Sequence, residues 1–326
     1  MYDIITVGSA TVDVFARTEF YRMLKCGDKQ TCIAYPVGSK ILIGELNVTV
    51  GGGGTNTAVA LSRLGYKVAF LGKIGSGNNS ERVIDVLKKD KVDTSLIVRS
   101  KTARTGFSII LDSKKHDRTI LAFKGSNNDL RLSEINLKKL KAKWFYFSSM
   151  METSFKTLEK IAGYAAKNNI KIAFNASSYL AKKGPSFLKN ILKRTSILVL
   201  NKEEACLLVG TDGIQNLLKK LRKLGPEIIA ITNGNNNAFV LHNNYVYKGE
   251  PTNVKIVETT GAGDAFASTF LSEIIRKNDV EFALKLAITN AESVIQYHGA
   301  KERLLTYNEA LKVLKKRPVK VTKNKL

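Results

Sequence analysis

The sequence has few cysteines, few prolines, one tryptophan and no long hydrophobic run. A membrane-spanning helix needs roughly 18 or more consecutive apolar residues, and no stretch approaches this length. The first residues, MYDIITVGSATVD, reach a glycine and an aspartate too early for the apolar segment of a signal peptide. We therefore expect a folded protein of the cytoplasm that has no membrane-spanning part.

Cysteine is scarce, and its number is odd. Cys26, Cys32 and Cys206 do not form the even, closely spaced set that indicates a disulfide framework. The three histidines do not combine with them in the spacing of a known metal site. We therefore expect three reduced thiols and no cysteine-bound metal.

Acidic residues are also few, because 28 of them face 52 basic residues and leave a formal charge of +24. Such a charge attracts anions, either nucleic acids or small phosphates. The basic residues are spread along the chain and become denser in a tail at 312–326, where we expect a short helix and then a frayed end. Since no basic motif is interleaved with aromatic residues, nucleic acid is an unlikely partner by sequence criteria.

Short apolar runs alternate with segments of helical periodicity over most of the chain. The runs at 4–8, 67–72, 144–149, 170–175 and 196–201 are typical of parallel strands that are buried on both faces. This alternation predicts one α/β domain over residues 1–326, with a mostly parallel central sheet flanked by helices.

Two segments, about 14–50 and 104–124, depart from this alternation. Their apolar and polar residues alternate without an intervening helix, as in antiparallel strands with one exposed face. We expect them to form a small β-sheet that projects from the main domain and covers a site as a lid. Its exposed strand edges make a homodimer through the lid plausible.

The octapeptide TTGAGDAF, residues 259–266, follows the strand-like VKIVE and precedes an amphipathic helix. The first amides of a helix lack intrahelical partners, and small residues let an anion approach them. A carboxylate beside such an anion site is best explained as a base that takes a proton from a hydroxyl attacking a phosphate. Asp264 is our candidate for this base, and a helix N-cap is the alternative interpretation.

A second glycine cluster, VGGGGTNTAVALSRLG at 50–65, also leads into a helix. Its bare backbone and the amide of Asn56, which donates and accepts hydrogen bonds, suit a polyhydroxylated ligand. Thr57 stands where a dinucleotide-binding fingerprint requires glycine or alanine, which makes a nicotinamide-dependent dehydrogenase a distant alternative. A Walker A sequence is absent as well.

Together the two clusters resemble the two signatures of the ribokinase/PfkB family of carbohydrate and nucleoside kinases. The first signature is matched by Gly51, Gly52, Gly54, Asn56 and Ala58. The second is matched by Thr259, Gly261, Ala262, Gly263 and Asp264. The resemblance extends to about residue 300 and implies a ribokinase-like fold with a β-sheet lid.

The resemblance also implies a role for each matching residue. The catalytic set is Asp264 as the base with Gly261, Ala262 and Gly263 as the anion hole. The substrate-binding set is Asp13, Gly51, Gly52, Asn56 and, by a looser match, Glu152. The nucleotide-binding set is Asn201, Thr232, Gly234 and Asn290, and Glu204 is the residue linked to Mg²⁺.

The implied reaction is transfer of the γ-phosphoryl group of ATP, with Mg²⁺, to a hydroxyl of a sugar or a sugar-containing molecule. A nucleoside kinase is the alternative within the family, with Phe15 or Phe107 as a wall for the base. A basic nucleic-acid-binding protein on a kinase scaffold is the alternative outside enzymes. Glu258 stands where the family usually has aspartate, so use of a monovalent cation is uncertain, and Gly53 replaces a lysine of many ribokinases.

Overall fold

The computed structural model describes residues 1–18, 22–27, 30–113, 116–297 and 299–326. These residues form ten α-helices and seventeen strands. The helices are α1 (Gly53–Arg63), α2 (Asn78–Lys89), α3 (Glu152–Lys167), α4 (Ser178–Ala181), α5 (Gly184–Leu192), α6 (Lys202–Val209), α7 (Ile214–Arg222), α8 (Ala262–Lys277), α9 (Val280–Val294) and α10 (Tyr307–Lys316).

The strands belong to one large sheet, one four-stranded sheet and two strand pairs. In chain order they are β1 (Tyr2–Val7), β2 (Thr11–Arg17), β3 (Arg22–Cys26), β4 (Gln30–Ala34), β5 (Glu45–Gly51), β6 (Val68–Leu71), β7 (Lys73–Ser76), β8 (Val98–Arg104), β9 (Gly106–Ser113), β10 (His116–Phe123), β11 (Ala142–Phe147), β12 (Lys171–Asn175), β13 (Ile197–Asn201), β14 (Ile228–Thr232), β15 (Ala238–His242), β16 (Tyr245–Glu250) and β17 (Lys320–Lys325).

The large sheet has nine strands in the order β17-β16-β15-β14-β13-β12-β11-β1-β6. The six strands from β14 to β6 pair in parallel, and the other three continue the sheet in antiparallel pairing. The apolar runs predicted as parallel strands lie in this sheet. The prediction of a mostly parallel central sheet is confirmed.

Helices cover both faces of the large sheet. Successive side chains of a strand point to opposite faces, so Trp144 and Tyr146 of β11 pack towards α1, α2, α8 and α9. Phe145 and Phe147 of the same strand pack towards α3, α5, α6 and α7 on the other face. This double burial explains why the strands read as continuous hydrophobic runs.

The four-stranded sheet, in the order β10-β9-β2-β5, is built from the two segments predicted as a lid. Strand β2 pairs in parallel with β9 and antiparallel with β5, and β9 pairs antiparallel with β10. The small projecting sheet is confirmed, and we call it the lid sheet. Residues 19–21, 28–29 and 114–115 of the predicted lid lie outside the described residues.

Two local predictions were wrong. VKIVE at 254–258 is not a strand, because Val257 and Glu258 donate their amides to one carbonyl, that of Ile295, instead of joining a ladder. The end of the basic tail is not frayed, because β17 pairs with the outer edge of β16. An open strand edge offers unpaired amides and carbonyls, and the tail satisfies them.

The expectation of three reduced thiols was wrong for two of the cysteines. Cys26 and Cys32 form a disulfide across the β3–β4 hairpin, and Cys206 is free. In this hairpin Leu24 is opposite Cys32 and Cys26 is opposite Gln30, so the two cysteines are diagonal neighbours. The odd number of cysteines in the sequence concealed this pair.

Within the described ranges, no helix has both the length and the hydropathy for crossing a membrane.

The pairing of β17 leads to a stability prediction. Val319, just before β17, is only 3% exposed, whereas Asn324 within the strand is exposed. Val319→Asp should lower the free energy of unfolding by about 3 kcal/mol, because it buries a charge without a partner. Denaturant unfolding measures the change, and Asn324→Asp is the control with the same added carboxylate. Equal stability of the two variants would show that the tail is frayed after all.

Candidate active site

Helix α1 begins at the first glycine cluster, and its cap is Gly52. Asn56 therefore lies in the first turn of this helix. A Cβ atom on Gly51 would lie 1.7 Å from an oxygen of Asp13. The glycine thus lets the carboxyl group of Asp13 reach the backbone at the start of α1.

Helix α8 begins at the second cluster. Its cap, Gly261, has a φ of 83°, a left-handed conformation that favours glycine. A Cβ atom on Gly261 would lie 2.5 Å from the Cβ atom of Ala300. The amide of Ala265 donates to the carbonyl of Gly261 at 2.9 Å, so the amides of Gly263 and Asp264 precede this first intrahelical bond. Such first-turn amides form an anion-binding site.

Asp264 and Asn56 meet although they are 208 positions apart in the sequence. The side-chain amide nitrogen of Asn56 donates to Oδ2 of Asp264 at 2.7 Å. Burial raises the pKa of Asp264 to about 6, while the Asn56 hydrogen bond and the charge of Lys301 oppose the rise. Asp264 is therefore ionised over most of the neutral pH range, and its pKa is close to the value that suits a general base.

Lys301 completes a chain of hydrogen bonds that sequence analysis missed. Its ammonium group donates to the side-chain oxygen of Asn56, to the carbonyl of Val50 and, at 3.3 Å, to the hydroxyl of Thr55. The residue is 8% exposed. Burial lowers the pKa of Lys301 to about 8, and the charges of Asp13 and Asp264 oppose the decrease.

The backbone around Lys301 is held by Arg63, at the end of α1. The guanidinium group of Arg63 donates to the carbonyl of Lys301 at 2.8 Å and to the two oxygens of Asp90 at 2.6 and 3.2 Å. The segment after α9 is thereby fixed against α1. A single lysine in HGAKERL has no spacing that relates it to either signature, so the sequence carried no signal for it.

Asp13 lies on β2 of the lid sheet and is 9% exposed. Burial raises the pKa of its carboxyl group, while Ser108, Thr11 and Lys301 oppose the rise. In the described part of the chain, Oδ1 of Asp13 has no hydrogen-bond partner. A buried acceptor without a partner is costly, which suits a group that receives a ligand hydroxyl.

A polar cavity of about 250 Å³ lies between the first glycine cluster, the carboxyl ends of β11 and β12, and α8. Its lining includes amides, hydroxyls, two methionines and two charged residues, as follows: Ser9, Gly53, Lys124, Asn127, Asn128, Ser148, Ser149, Met150, Met151, Asn175, Ser177, Tyr179 and Asp264. We call it the polar cavity. Ligands of open α/β sheets bind at this carboxyl edge of the strands.

The remaining residues predicted to bind substrate lie next to the polar cavity instead of lining it. Asn56 is occupied by Asp264 and Lys301. Glu152, at the start of α3, accepts a hydrogen bond of 2.9 Å from the amide of Asn128, which does line the cavity. Glu152 has a φ of 52°, and such strain in a residue other than glycine is common at functional sites.

A second cavity, of about 290 Å³, is mainly apolar and lies on the other side of the first turn of α8. Thr232 and Gly234, predicted to lie against the nucleotide, line it together with Ala262 and Gly263. Asn290 does not line it, because its amide is buried and bonded to the hydroxyl of Thr269 and the amide of Leu305. We call this the apolar cavity.

Asn201 and Glu204 form a reciprocal cap at the start of α6. The amide of Glu204 donates to the Asn201 side chain at 2.7 Å, and the amide of Asn201 donates to the Glu204 carboxylate at 2.9 Å. Burial raises the pKa of Glu204 to about 7, and the charge of Asp264 contributes to the rise. Neither residue lines either cavity.

The described residues contain no cluster of three or more histidine, cysteine or acidic side chains that could hold a metal ion. Mg²⁺ commonly binds through one or two carboxylates together with substrate phosphates. Glu204, whose pKa the charge of Asp264 helps to raise, fits an ion of this kind, which arrives with a nucleotide.

This arrangement agrees with comparisons to known proteins. Residues 3–306 match the model of the pfkB family carbohydrate kinases. The chain belongs to the pfkB family. It is a phosphotransferase that uses an alcohol group as acceptor, as the ribokinase resemblance implied.

One curated relative is a ribokinase of Haemophilus influenzae, 27% identical over 277 residues that cover 82% of this chain and 88% of the relative. Two solved structures share the fold with a TM-score of 0.80 and 20% identity. One is an Arabidopsis thaliana ribokinase complexed with ribose and ATP, with 96% of this chain and 99% of that chain covered. The other is a Methanocaldococcus jannaschii nucleoside kinase, with 96% of this chain and 98% of that chain covered. The ribokinase-like fold is confirmed.

The Lys301 ammonium should influence the acidity of Asp264. In Lys301→Met, the pKa of Asp264 should rise above about 6, because a positive charge that favours the carboxylate is removed. Carbon-13 NMR titration of the carboxyl group measures this, with its signal assigned by its absence in Asp264→Asn.

Lys312→Met is the matched control, because Lys312 is exposed on α10. The control should leave the titration midpoint unchanged. An unchanged midpoint in Lys301→Met would show that the buried ammonium group does not act on Asp264.

Proposed function

We propose that this chain transfers the γ-phosphoryl group of ATP to a hydroxyl of a sugar or sugar-containing molecule, with Asp264 as the general base. One observation carries the proposal: the first turn of α8 separates the two cavities. Ala262 and Gly263 face the apolar cavity, and Asp264 faces the polar cavity. A phosphate at this turn would lie between a nucleotide on one side and an acceptor on the other.

The apolar cavity is the proposed nucleotide site. Its apolar walls include Phe266, Ile288 and Ile295, which suit a purine ring, and it reaches the first-turn amides of α8 at Gly263. The Arabidopsis ribokinase of the same fold was solved with ATP. The donor is proposed to be Mg-ATP. Glu204 is the residue proposed to be linked to the Mg²⁺ ion, and Asn201 is its hydrogen-bond partner in the cap of α6.

The chemical step follows from the positions of the charges. Asp264 takes the proton of the acceptor hydroxyl, whose oxygen attacks the γ-phosphorus as the bond to ADP breaks. The predicted anion hole, Gly261 to Gly263, opens the first turn of α8, and the amides of Gly263 and Asp264 in this turn hold the charge on the phosphoryl oxygens. Asn56, fixed by Lys301, keeps the Asp264 carboxylate in one orientation, and such positioning supplies much of the catalysis of phosphoryl transfer.

The polar cavity is the proposed acceptor site. Strand β10 of the lid sheet leads directly into Lys124 and Asn127, which line the cavity, so movement of the lid sheet would close it against water. Asp13, Gly51, Gly52 and Asn56 do not line this cavity and are proposed to contact the acceptor after closure.

The alternative of a nucleoside kinase draws on the likeness to the Methanocaldococcus nucleoside kinase. Neither Phe15 nor Phe107 lines the polar cavity, so they do not form the expected wall for a base. Tyr179 is the aromatic residue of that lining. The polar lining therefore favours a sugar over a nucleoside.

Two further points remain proposals. The lid sheet exposes Leu46, Ile120 and Phe123, which supports a homodimer through this sheet. Glu258, the residue that departs from the family's usual aspartate, is 8% exposed and accepts from the amide of Gly299 at 3.1 Å. A cytoplasmic location is proposed from the sequence alone.

Replacing the proposed base tests the reaction. Asp264→Asn should lower kcat by about 10²- to 10⁴-fold, because the amide cannot accept the hydroxyl proton. The affinity for Mg-ATP should stay within about twofold, because the amide preserves the shape of the side chain. Acceptor-dependent release of ADP and calorimetric titration with Mg-ATP are the two measurements.

Asp279→Asn is the matched control, because Asp279 is exposed and caps α9, where asparagine caps equally well. This control should keep full turnover. Turnover in Asp264→Asn equal to that of the control would rule out Asp264 as the base.

A further inference from the structure

The polar cavity has charged side chains of opposite sign. Among its lining residues, the charged ones are Asp264, on α8, and Lys124, in the segment after β10. The remaining lining residues are neutral, mostly asparagine, serine and methionine. A neutral sugar needs hydrogen-bond donors and acceptors but no full positive charge, so Lys124 calls for an explanation.

Lys124 has no acidic partner among the described side chains. Its ammonium nitrogen lies 4.8 Å from the ring centre of Tyr179, which also lines the polar cavity. The residue is half-buried. Contact of an ammonium with an aromatic face holds the cation in place and leaves its charge uncompensated.

Two buried lysines, Lys73 and Lys301, differ from Lys124 in this respect. Lys73 is bonded to the carboxylates of Asp129 and Glu134 at 3.2 and 2.7 Å. Lys301 is surrounded by oxygen acceptors, and the charges of Asp13 and Asp264 favour its protonated form. Lys124 alone of these three faces a cavity without a carboxylate bound to it, and a partly desolvated cation gains most from an anion.

We infer that the acceptor carries an anionic group, a carboxylate or a phosphate, which binds Lys124 while the reacting hydroxyl faces Asp264. The inference rests on the proposed function and narrows its substrate class to acidic sugars. The carboxylate of Asp264 repels the anionic group and the ammonium of Lys124 attracts it. The two charges therefore favour one orientation of the acceptor in the cavity.

Lys124 is thus a specificity-determining residue. Its charge acts on binding of the acceptor more than on the chemical step, because the anionic group keeps its charge throughout the reaction. An interaction made equally in the ground state and the transition state changes KM and leaves kcat nearly unchanged.

The test compares neutral and anionic acceptors. ADP release from Mg-ATP is measured with aldoses and ketoses, with the aldonates and ketoaldonates of the same carbon skeletons, with their monophosphates, and with nucleosides. The variants are Lys124→Met, which removes the charge, and Lys124→Arg, which keeps it. Lys167→Met is the control, because Lys167 is exposed at the opposite end of α3 from the cavity.

We expect at least a tenfold higher kcat/KM for an anionic acceptor than for its neutral counterpart. Lys124→Met should remove this preference by raising KM for the anionic acceptor, and Lys124→Arg should largely retain it. Preference for aldonates identifies the anionic group as a carboxylate, and preference for monophosphates identifies it as a phosphate.

The outcomes that contradict the inference have different meanings. The acidic-sugar inference is overturned, and the kinase left intact, if the turnover of a neutral sugar or a nucleoside equals or exceeds the turnover of every anionic acceptor. The same holds if Lys124→Met leaves the preference for anionic acceptors unchanged. Binding of Mg-ATP without turnover of any acceptor in either set overturns the proposed function and this inference with it.

Discussion

The structure of the site depends on one chain of hydrogen bonds, from Asp264 through Asn56 to Lys301. It joins the start of α8, the start of α1 and the segment after α9, which are far apart in the sequence. Each member restricts the next: the ammonium group fixes the oxygen end of the Asn56 amide, and the nitrogen end then faces Asp264. Because Lys301 is almost fully buried, loss of any member would leave a charged or polar group without its partner.

This chain of hydrogen bonds also relates the fold to the chemistry. Parallel strands place their carboxyl ends at one edge of the sheet, and α1 and α8 both begin there at glycine-rich turns. The hydrogen bond from Asn56 to Asp264 joins the two turns, while Gly51 and Gly261 allow close packing against Asp13 and Ala300. The polar and apolar cavities share the first turn of α8. Burial then raises the pKa of Asp264 to about 6, within the range useful to a base. Lys124 adds a charge on the acceptor side that no acidic side chain in the described ranges neutralises.

Periodicity sufficed to predict the central sheet, the flanking helices and the lid sheet, because buried strands and amphipathic helices leave local patterns. The glycine signatures likewise led to Asp264 and Asn56. Lys301 and Lys124 could not be predicted, since their importance comes from neighbours distant in the sequence. The strand β17 and the disulfide of Cys26 with Cys32 also depend on partners that no local pattern specifies. Asn290, predicted to bind the nucleotide, joins α9 to Thr269 and Leu305 through its side-chain amide.

The central claim is that a nucleotide phosphate binds the first turn of α8 between the two cavities. The most direct measurement is a crystal structure of the chain with Mg²⁺ and a non-hydrolysable ATP analogue. Our account predicts the base in the apolar cavity and the γ-phosphate about 3 Å from the amide nitrogens of Gly263 and Asp264, which is hydrogen-bond distance. A triphosphate bound away from this turn, or with Asp264 on the side of the nucleotide base, would contradict it.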